Sequence, residues 1–233
     1  MTRTFVLVHG AWHGGWCWRR VADLLEGRGH KVFAPTLTGL GERAHLLTAN
    51  VNLSTHVTDI VNVLKWENLS DVVLCGHSYG GLVIAGVAEQ MQAAIGSIVF
   101  LDAFVPLDGD SVQALTSQAV RGALRAGREK GEIGIAPRPA EAFGVNARDR
   151  AWIDSKCTAQ PIGAFTEKIR LTGAYNRIPG KTFIRAASYV NPGFDQALSR
   201  VKDDPSWRTF HATSGHDVMV DAPEWLADIL VAA

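Results

Sequence analysis

The chain has 233 residues and carries 23 Lys and Arg against 23 Asp and Glu, so its formal net charge is zero. This length and a hydrophobic content of 47% indicate one sizeable globular domain, with or without an insertion. The even charge balance argues against a nucleic-acid partner, and the lack of an apolar run of about 18 residues argues against a membrane span.

The first apolar stretch and the cysteines indicate the cellular compartment of the protein. Residues 5–8 are too few to form the core of a secretory signal. Three cysteines, Cys17, Cys75 and Cys157, are widely spaced and form no metal-type pair. We therefore predict free thiols in a reducing compartment, a cytoplasmic location, and no metal or other cofactor.

Short β-branched apolar runs alternate along the chain with segments of helical periodicity. The runs predict six strands, at residues 5–8, 32–34, 72–75, 98–101, 182–185 and 208–212. The periodic segments predict helices at residues 18–25, 55–67, 81–92, 195–201 and 223–231. Near-continuous apolar strands that alternate with helices predict an α/β fold, in which a mostly parallel central sheet carries helices on both faces.

The alternation stops between the fourth and fifth predicted strands. Residues 107–179 contain helix-like pieces and loops but no convincing buried strand. We predict that residues 1–106 and 180–233 form the core and that residues 107–179 are a lid inserted at one end of the sheet. A peripheral helical subdomain without a gating role is the alternative interpretation.

The motif Gly76-His77-Ser78-Tyr79-Gly80 fits the pattern G-x-S-x-G and lies between a predicted strand and a predicted helix. In this context the serine occupies a tight, strained turn that needs glycine on both sides and lifts the hydroxyl off the sheet. The N-terminus of the following helix would face a developing oxyanion. The motif therefore predicts that Ser78 is a catalytic nucleophile.

Four sequence blocks together resemble the α/β-hydrolase family. They are residues 8–18, residues 36–43, the serine motif, and residues 215–217. The nearer likeness is to a branch of small esterases and hydroxynitrile lyases, which includes plant methylesterases and bacterial pyrethroid-type esterases. The resemblance implies a helical lid after the sixth family strand, a base at His216, and an oxyanion hole formed by the backbone N–H groups of Ala11 and Tyr79.

The acid that orients the base is harder to place. The family usually has a carboxylate after the penultimate strand, but residues 186–191 contain none. Asp102 ends the predicted strand at residues 98–101, at the sheet edge where sites assemble. We predict that Asp102 orients His216, as in family members whose acid follows this earlier strand; Asp195 and a purely structural Asp102 remain the alternatives.

Aromatic residues that could line a substrate pocket are Trp12, Phe104, Phe143, Trp152 and Phe165, although each could equally belong to the core. A pocket lined by them would take a small hydrophobic ester. Among the other histidines, we expect His9 and His77 to be structural, His56 to lie on a surface, and His13 to line the pocket or cap a helix.

The sequence thus predicts a serine carboxylic ester hydrolase that acts through an acyl-enzyme. One alternative is hydroxynitrile-lyase-like C–C cleavage, but the lyases that the chain resembles carry threonine and lysine where Gly10 and Asp217 stand. The other is a ligand-binding homologue without catalysis. The residues carry no indication of the oligomeric state.

Overall fold

The computed structural model describes residues 2–233 and contains eight strands. They are β1 Thr4–Val8, β2 Lys31–Phe33, β3 Val72–His77, β4 Ile95–Leu101, β5 Gly134–Ile135, β6 Gln160–Pro161, β7 Gly180–Ala186 and β8 Trp207–Ala212. Six of them form one sheet in the order β2-β1-β3-β4-β7-β8, and every neighbouring pair is parallel. The strands β5 and β6 form a separate antiparallel pair.

Ten α-helices accompany the strands within residues 2–233. They are α1 Arg19–Gly27, α2 Leu53–Trp66, α3 Gly80–Met91, α4 Val112–Leu115, α5 Gln118–Glu129, α6 Arg150–Lys156, α7 Ile162–Thr166, α8 Pro192–Val201, α9 Val218–Asp221 and α10 Pro223–Ala232. The six predicted strands and the five predicted helices are all present, with ends that differ by a few residues. The predicted fold class is confirmed.

The central strands β3 and β4 are buried along almost their whole length, as their continuous apolar sequences predict. Helix α3 follows β3 and is buried from Gly80 to Ala88. It packs closely on α2, because a Cβ atom at Gly86 would lie only 2.6 Å from a methyl group of Val57. This close packing holds the N-terminus of α3 at the carboxyl end of β3.

Residues 107–179 form a distinct layer of short elements that contains α4 to α7, the β5–β6 pair and two short 3₁₀ helices. The sequence predicts no convincing buried strand in residues 107–179; the strands found there, β5 and β6, have two residues each and lie outside the six-stranded sheet. Whether this layer moves as a lid stays a prediction. Within residues 2–233, none of the helices combines the length and apolar character that crossing a bilayer requires.

Candidate active site

Ser78 lies on the turn between β3 and α3 with a φ angle of +55°, a conformation that side chains rarely adopt. The turn requires glycine on both sides. A Cβ atom at Gly76 would lie 2.5 Å from the carbonyl oxygen of Gly80, and one at Gly80 would lie 2.9 Å from that of Val8. The strained turn brings Ser78 to the wall of a cavity at the carboxyl edge of the sheet.

His216 and Asp102 meet at the same edge. Asp102 follows β4, and its Oδ2 accepts a hydrogen bond from Nδ1 of His216 at 2.6 Å. Its Oδ1 accepts hydrogen bonds from the backbone N–H of Ala186 at 3.0 Å and from Nη1 of Arg185 at 2.6 Å. Since Nδ1 of His216 donates to Asp102, its Nε2 carries a lone pair in the neutral ring.

Arg185 connects the two carboxylates that the sequence left as candidates. Its Nη1 binds Asp102, while its Nε donates to Oδ1 of Asp195 at 2.8 Å. Asp195 is 57% exposed and binds Arg185 rather than His216. Sequence reasoning missed Arg185, although a cation inside the predicted strand at residues 182–185 signals a buried ionic partner.

Aromatic rings pack around His216. Phe194 stacks on its imidazole with ring centroids 5.3 Å apart and an interplanar angle of 15°. The rings of Tyr189 and Phe143 lie 4.6 Å and 5.7 Å away. These contacts restrict the rotation of the imidazole. Neither Tyr189 nor Phe194 was predicted as a site residue, because no motif in the sequence marks either of them.

The cavity beside Ser78 and His216 has a volume of about 220 Å³. Ala11 and Tyr79 contribute to its wall. Besides Tyr79, its aromatic lining consists of Trp12, Phe104, Phe143, Phe165, Tyr189 and Phe194. Four of the five aromatic residues considered from the sequence are therefore in the lining.

Trp152 is the exception among those five aromatics and is not in the cavity wall. Its ring packs edge to face on Trp16 at 5.1 Å, and the guanidinium of Arg20 covers it at 5.4 Å. The expectation that Trp152 lines the pocket is wrong, because helix α6 turns this side chain toward α1 and the segment before it.

Three buried histidines are held in the neutral form. Burial lowers the pKa of His9 to about 3, and it also lowers the pKa of His56 and His77. The neutral ring of His9 agrees with its contacts, since its Nε2 accepts a hydrogen bond from the N–H of Leu37 and therefore carries no proton.

His56 was expected at a surface, but it is fully buried. Its ring nitrogens lie 2.7 Å from the phenol oxygen of Tyr79 and 2.8 Å from the carbonyl oxygen of Thr38. The expectation was wrong because helix α2 turns this position inward, toward the segment that carries Ser78.

We expect the free energy of unfolding to fall as the pH drops below about 6.5, the ordinary pKa of histidine. In the unfolded chain His9, His56 and His77 then bind protons, whereas in the folded state they stay neutral. The raised pKa of His13 acts in the opposite direction and offsets part of the loss. Urea unfolding at pH 7 and pH 5.5 should differ by about 2 kcal/mol.

A matched pair of variants isolates the buried histidines in this experiment. His9→Gln removes one of the buried imidazoles and should reduce the dependence of stability on pH. His45→Gln replaces an exposed histidine and should leave the dependence of stability on pH unchanged. Equal stability of the unmodified protein at the two pH values would contradict the prediction.

A fourth buried histidine, His13, pairs with the carboxylate of Asp217. Burial alone would lower the pKa of His13, but Asp217 reverses this effect and raises it. Nε2 of His13 lies 3.1 Å from Oδ2 of Asp217, and its Nδ1 lies 2.8 Å from the carbonyl oxygen of Ala11. Both nitrogens can therefore donate, as an imidazolium does. The pair also keeps the pKa of Asp217 well below its usual range.

His77 and Asp217 lie next to His216. A ring nitrogen of each histidine and a carboxylate oxygen of Asp217 all lie within 4.8 Å of one another. Nε2 of His77 donates to the backbone carbonyl of His216 at 3.1 Å, which supports the loop that carries this residue. A metal ion on His216 would occupy a nitrogen that proton transfer needs, so we assign these atoms no metal role.

Comparisons with known proteins agree with this architecture. A model described as the alpha/beta hydrolase family matches residues 5–229. A carbendazim hydrolyzing esterase from Nocardioides sp. (strain SG-4G) is 41% identical over 237 residues, which cover 98% of each chain. Methylesterase 1 of Arabidopsis thaliana is 38% identical over 113 residues, which cover 44% of this chain and 40% of that protein.

Among solved structures, an extracellular alpha/beta-hydrolase from a Paenibacillus species superimposes with a TM-score of 0.84. It is 26% identical in sequence, and the match covers 99% of this chain and 98% of that one. The similarity therefore extends over the core and over residues 107–179 alike.

Proposed function

Since the chain belongs to the alpha/beta hydrolase family and is a carboxylic ester hydrolase, we propose that it cleaves small hydrophobic esters through an acyl-enzyme on Ser78. The observation that carries this proposal is the 2.6 Å hydrogen bond between His216 and buried Asp102, because His216 lines the same cavity as Ser78. A hydroxyl becomes a nucleophile when a base takes its proton, and the base works when a third group orients it.

In the first half-reaction, Oγ of Ser78 attacks the ester carbonyl carbon while Nε2 of His216 accepts the hydroxyl proton. The carbonyl oxygen becomes negatively charged, and the backbone N–H groups of Ala11 and Tyr79 stabilise it, assisted by the N-terminus of α3. His216 then returns the proton to the leaving alcohol as the ester C–O bond breaks. Ser78 is left acylated.

In the second half-reaction, a water molecule takes the place of the alcohol. His216 accepts a proton from the water as it attacks the acyl carbon, and gives that proton to Oγ of Ser78 as the acid leaves. Asp102 keeps Nδ1 of His216 protonated through both steps and stabilises the imidazolium. The chemistry proposed here uses only groups of this chain and water.

The cavity supports a compact substrate with a hydrophobic part. Seven aromatic residues line a space of about 220 Å³, which lies below the usual range of drug-sized ligand pockets. Residues 112–120 form another part of the wall through Val112 and Val120, whose side chains are also apolar. Polar groups are also present in the wall, at Thr116, Ser117, Arg138 and Asn191. The relative named for carbendazim makes that compound a reasonable substrate to assay.

The lyase alternative meets a steric obstacle at Gly10. A Cβ atom there would lie 2.8 Å from Nδ1 of His77 and 3.0 Å from Cβ of Ser78. The threonine that the lyases carry in this slot therefore does not fit beside His77. This crowding favours ester hydrolysis over cyanohydrin cleavage.

A series of p-nitrophenyl esters tests the proposal. We expect rapid turnover of the acetate, butyrate and hexanoate and slow turnover of the laurate, because the small cavity cannot enclose a long acyl chain. Carbendazim and a cyanohydrin are assayed in parallel. Cleavage of the cyanohydrin without hydrolysis of any ester would contradict the proposed function.

A further inference from the structure

We propose that Asp217 is a second buried carboxylate that stabilises the protonated form of His216, and thus a positioning residue for ester hydrolysis. This inference rests on the proposed function of His216. It assigns a role in the reaction to a residue that is outside the Ser78–His216–Asp102 group and does not line the cavity.

The carboxylate of Asp217 is fully buried and only half satisfied. Oδ2 pairs with His13 at 3.1 Å, but Oδ1 has no hydrogen-bond donor within residues 2–233. Nε2 of neutral His77 lies 3.8 Å from Oδ1 and donates instead to the carbonyl oxygen of His216. A buried carboxylate oxygen without a donor is costly and calls for an explanation.

A structural role at the start of a helix does not explain it. Asp217 stands at the N-terminal boundary of α9, where aspartate commonly caps a helix, yet its side chain makes no capping hydrogen bond. Its carboxylate lies against the two rings of His77 and His216 instead, within 4.8 Å of a nitrogen of each. The carboxylate of Asp217 thus lies near the His216 ring, which becomes positively charged during the proposed reaction.

Two buried carboxylates lie near His216, at unequal distances. Asp102 binds His216 at 2.6 Å and is held by Arg185, whereas Asp217 lies within 4.8 Å of a nitrogen of His216 and is held by His13. Each carboxylate thus pairs with a second cationic side chain and also lies near the imidazole of His216. An imidazolium between two buried anions is stabilised by both, because buried charges are poorly screened by solvent.

The other titratable groups against His216 do not cancel this effect. Burial lowers the pKa of His77 far enough that its ring stays neutral, and burial raises the pKa of the Tyr189 phenol, which also stays neutral. The remaining charged side chains are His13, which pairs with Asp217, and Arg138, which shares the cavity wall with His216. Asp217 therefore places a buried carboxylate within 4.8 Å of a nitrogen of His216, where its charge acts more strongly than a hydrated surface charge would.

Asp217→Asn tests the inference, since the amide has the same shape but no charge. We expect kcat to fall about 10-fold to 100-fold, and the acid limb of the kcat–pH profile to move to lower pH. KM should change little because Asp217 is outside the cavity wall. A purely structural role would lower the amount of active enzyme without moving the profile.

His13→Gln should displace the acid limb of the kcat–pH profile in the opposite direction. This variant remains informative if Asp217→Asn does not fold. Glutamine keeps a donor for Oδ2 but removes the positive charge that balances Asp217, so the acid limb should move to higher pH. The matched control is Asp149→Asn, which alters a buried carboxylate that pairs with Arg20 rather than with a histidine. This variant should lose stability with no displacement of the profile.

An NMR titration of the His216 ring separates this inference from the proposed function. It is recorded in Ser78→Ala and in Ser78→Ala combined with Asp217→Asn, neither of which needs turnover. A lower titration midpoint without Asp217 supports the inference. Equal midpoints overturn the inference, even if Ser78 is the nucleophile. The proposed function is overturned by a different result, namely that the unmodified protein hydrolyses esters no faster than Ser78→Ala does.

Discussion

Ser78→Ala is expected to lower the rate of p-nitrophenyl ester hydrolysis by about 10⁴-fold or more, to the level that binding and oxyanion stabilisation alone provide. Without the hydroxyl, no acyl-enzyme can form, and His216 has no proton to accept. Steady-state assays with the acetate ester measure the loss. The absence of a p-nitrophenol burst at high enzyme concentration checks that acylation itself has stopped.

The fold of this variant should be retained. Alanine at position 78 faces the same positive φ angle as serine, so the turn gains no new backbone strain. Ser97→Ala is the matched control, because Ser97 is also a buried serine but belongs to β4. Residual activity above about one tenth in Ser78→Ala would assign the nucleophile to another group.

Asp102→Asn is expected to lower kcat by about 10³-fold to 10⁴-fold. The asparagine amide would turn a donor toward either Nδ1 of His216 or the guanidinium of Arg185, both of which donate to the carboxylate now. His216 would then lose the tautomer with a lone pair on Nε2. Asparagine tolerates the φ angle of +40° at this position, so the backbone should keep its conformation.

Asp195→Asn is the control for this second prediction. Asp195 shares Arg185 with Asp102 but is exposed and makes no bond to His216, so its replacement should change kcat by less than about threefold. Rates for the two variants are compared with the same ester at saturating concentration. Near-normal turnover in Asp102→Asn, or equal losses in the two variants, would remove Asp102 from the proposed mechanism.

The strands and helices could be predicted because burial dictates their composition. A fully buried parallel strand such as β3 admits almost only apolar residues, and α3 can approach α2 only with small ones. Strand ends were less accurate, because hydrogen bonds in the sheet extend β3 beyond its apolar run to His77.

The surroundings of the site depend on register and could not be predicted. Leu101 pairs with Ile184, and this pairing alone places Arg185 beside Asp102, 83 residues away in the chain. Whether Trp152 faces the cavity depends on the rotation of α6, and short elements between loops have no periodicity from which to derive it. The packing of Phe194 on His216 likewise arises from the placement of α8 against β7.

The contacts of Arg185 limit which parts of the pocket wall can change substrate preference independently of the rate. Its Nη2 donates to the backbone carbonyl of Tyr189 while its Nη1 binds Asp102, so one side chain connects Asp102 to part of the pocket wall. We expect substitutions in residues 187–191 that alter substrate preference to alter the rate as well. Val112 and Val120 belong to another part of the wall, and among the described residues Arg185 makes no hydrogen bond to either, so substitutions there are expected to change substrate preference with less effect on the rate.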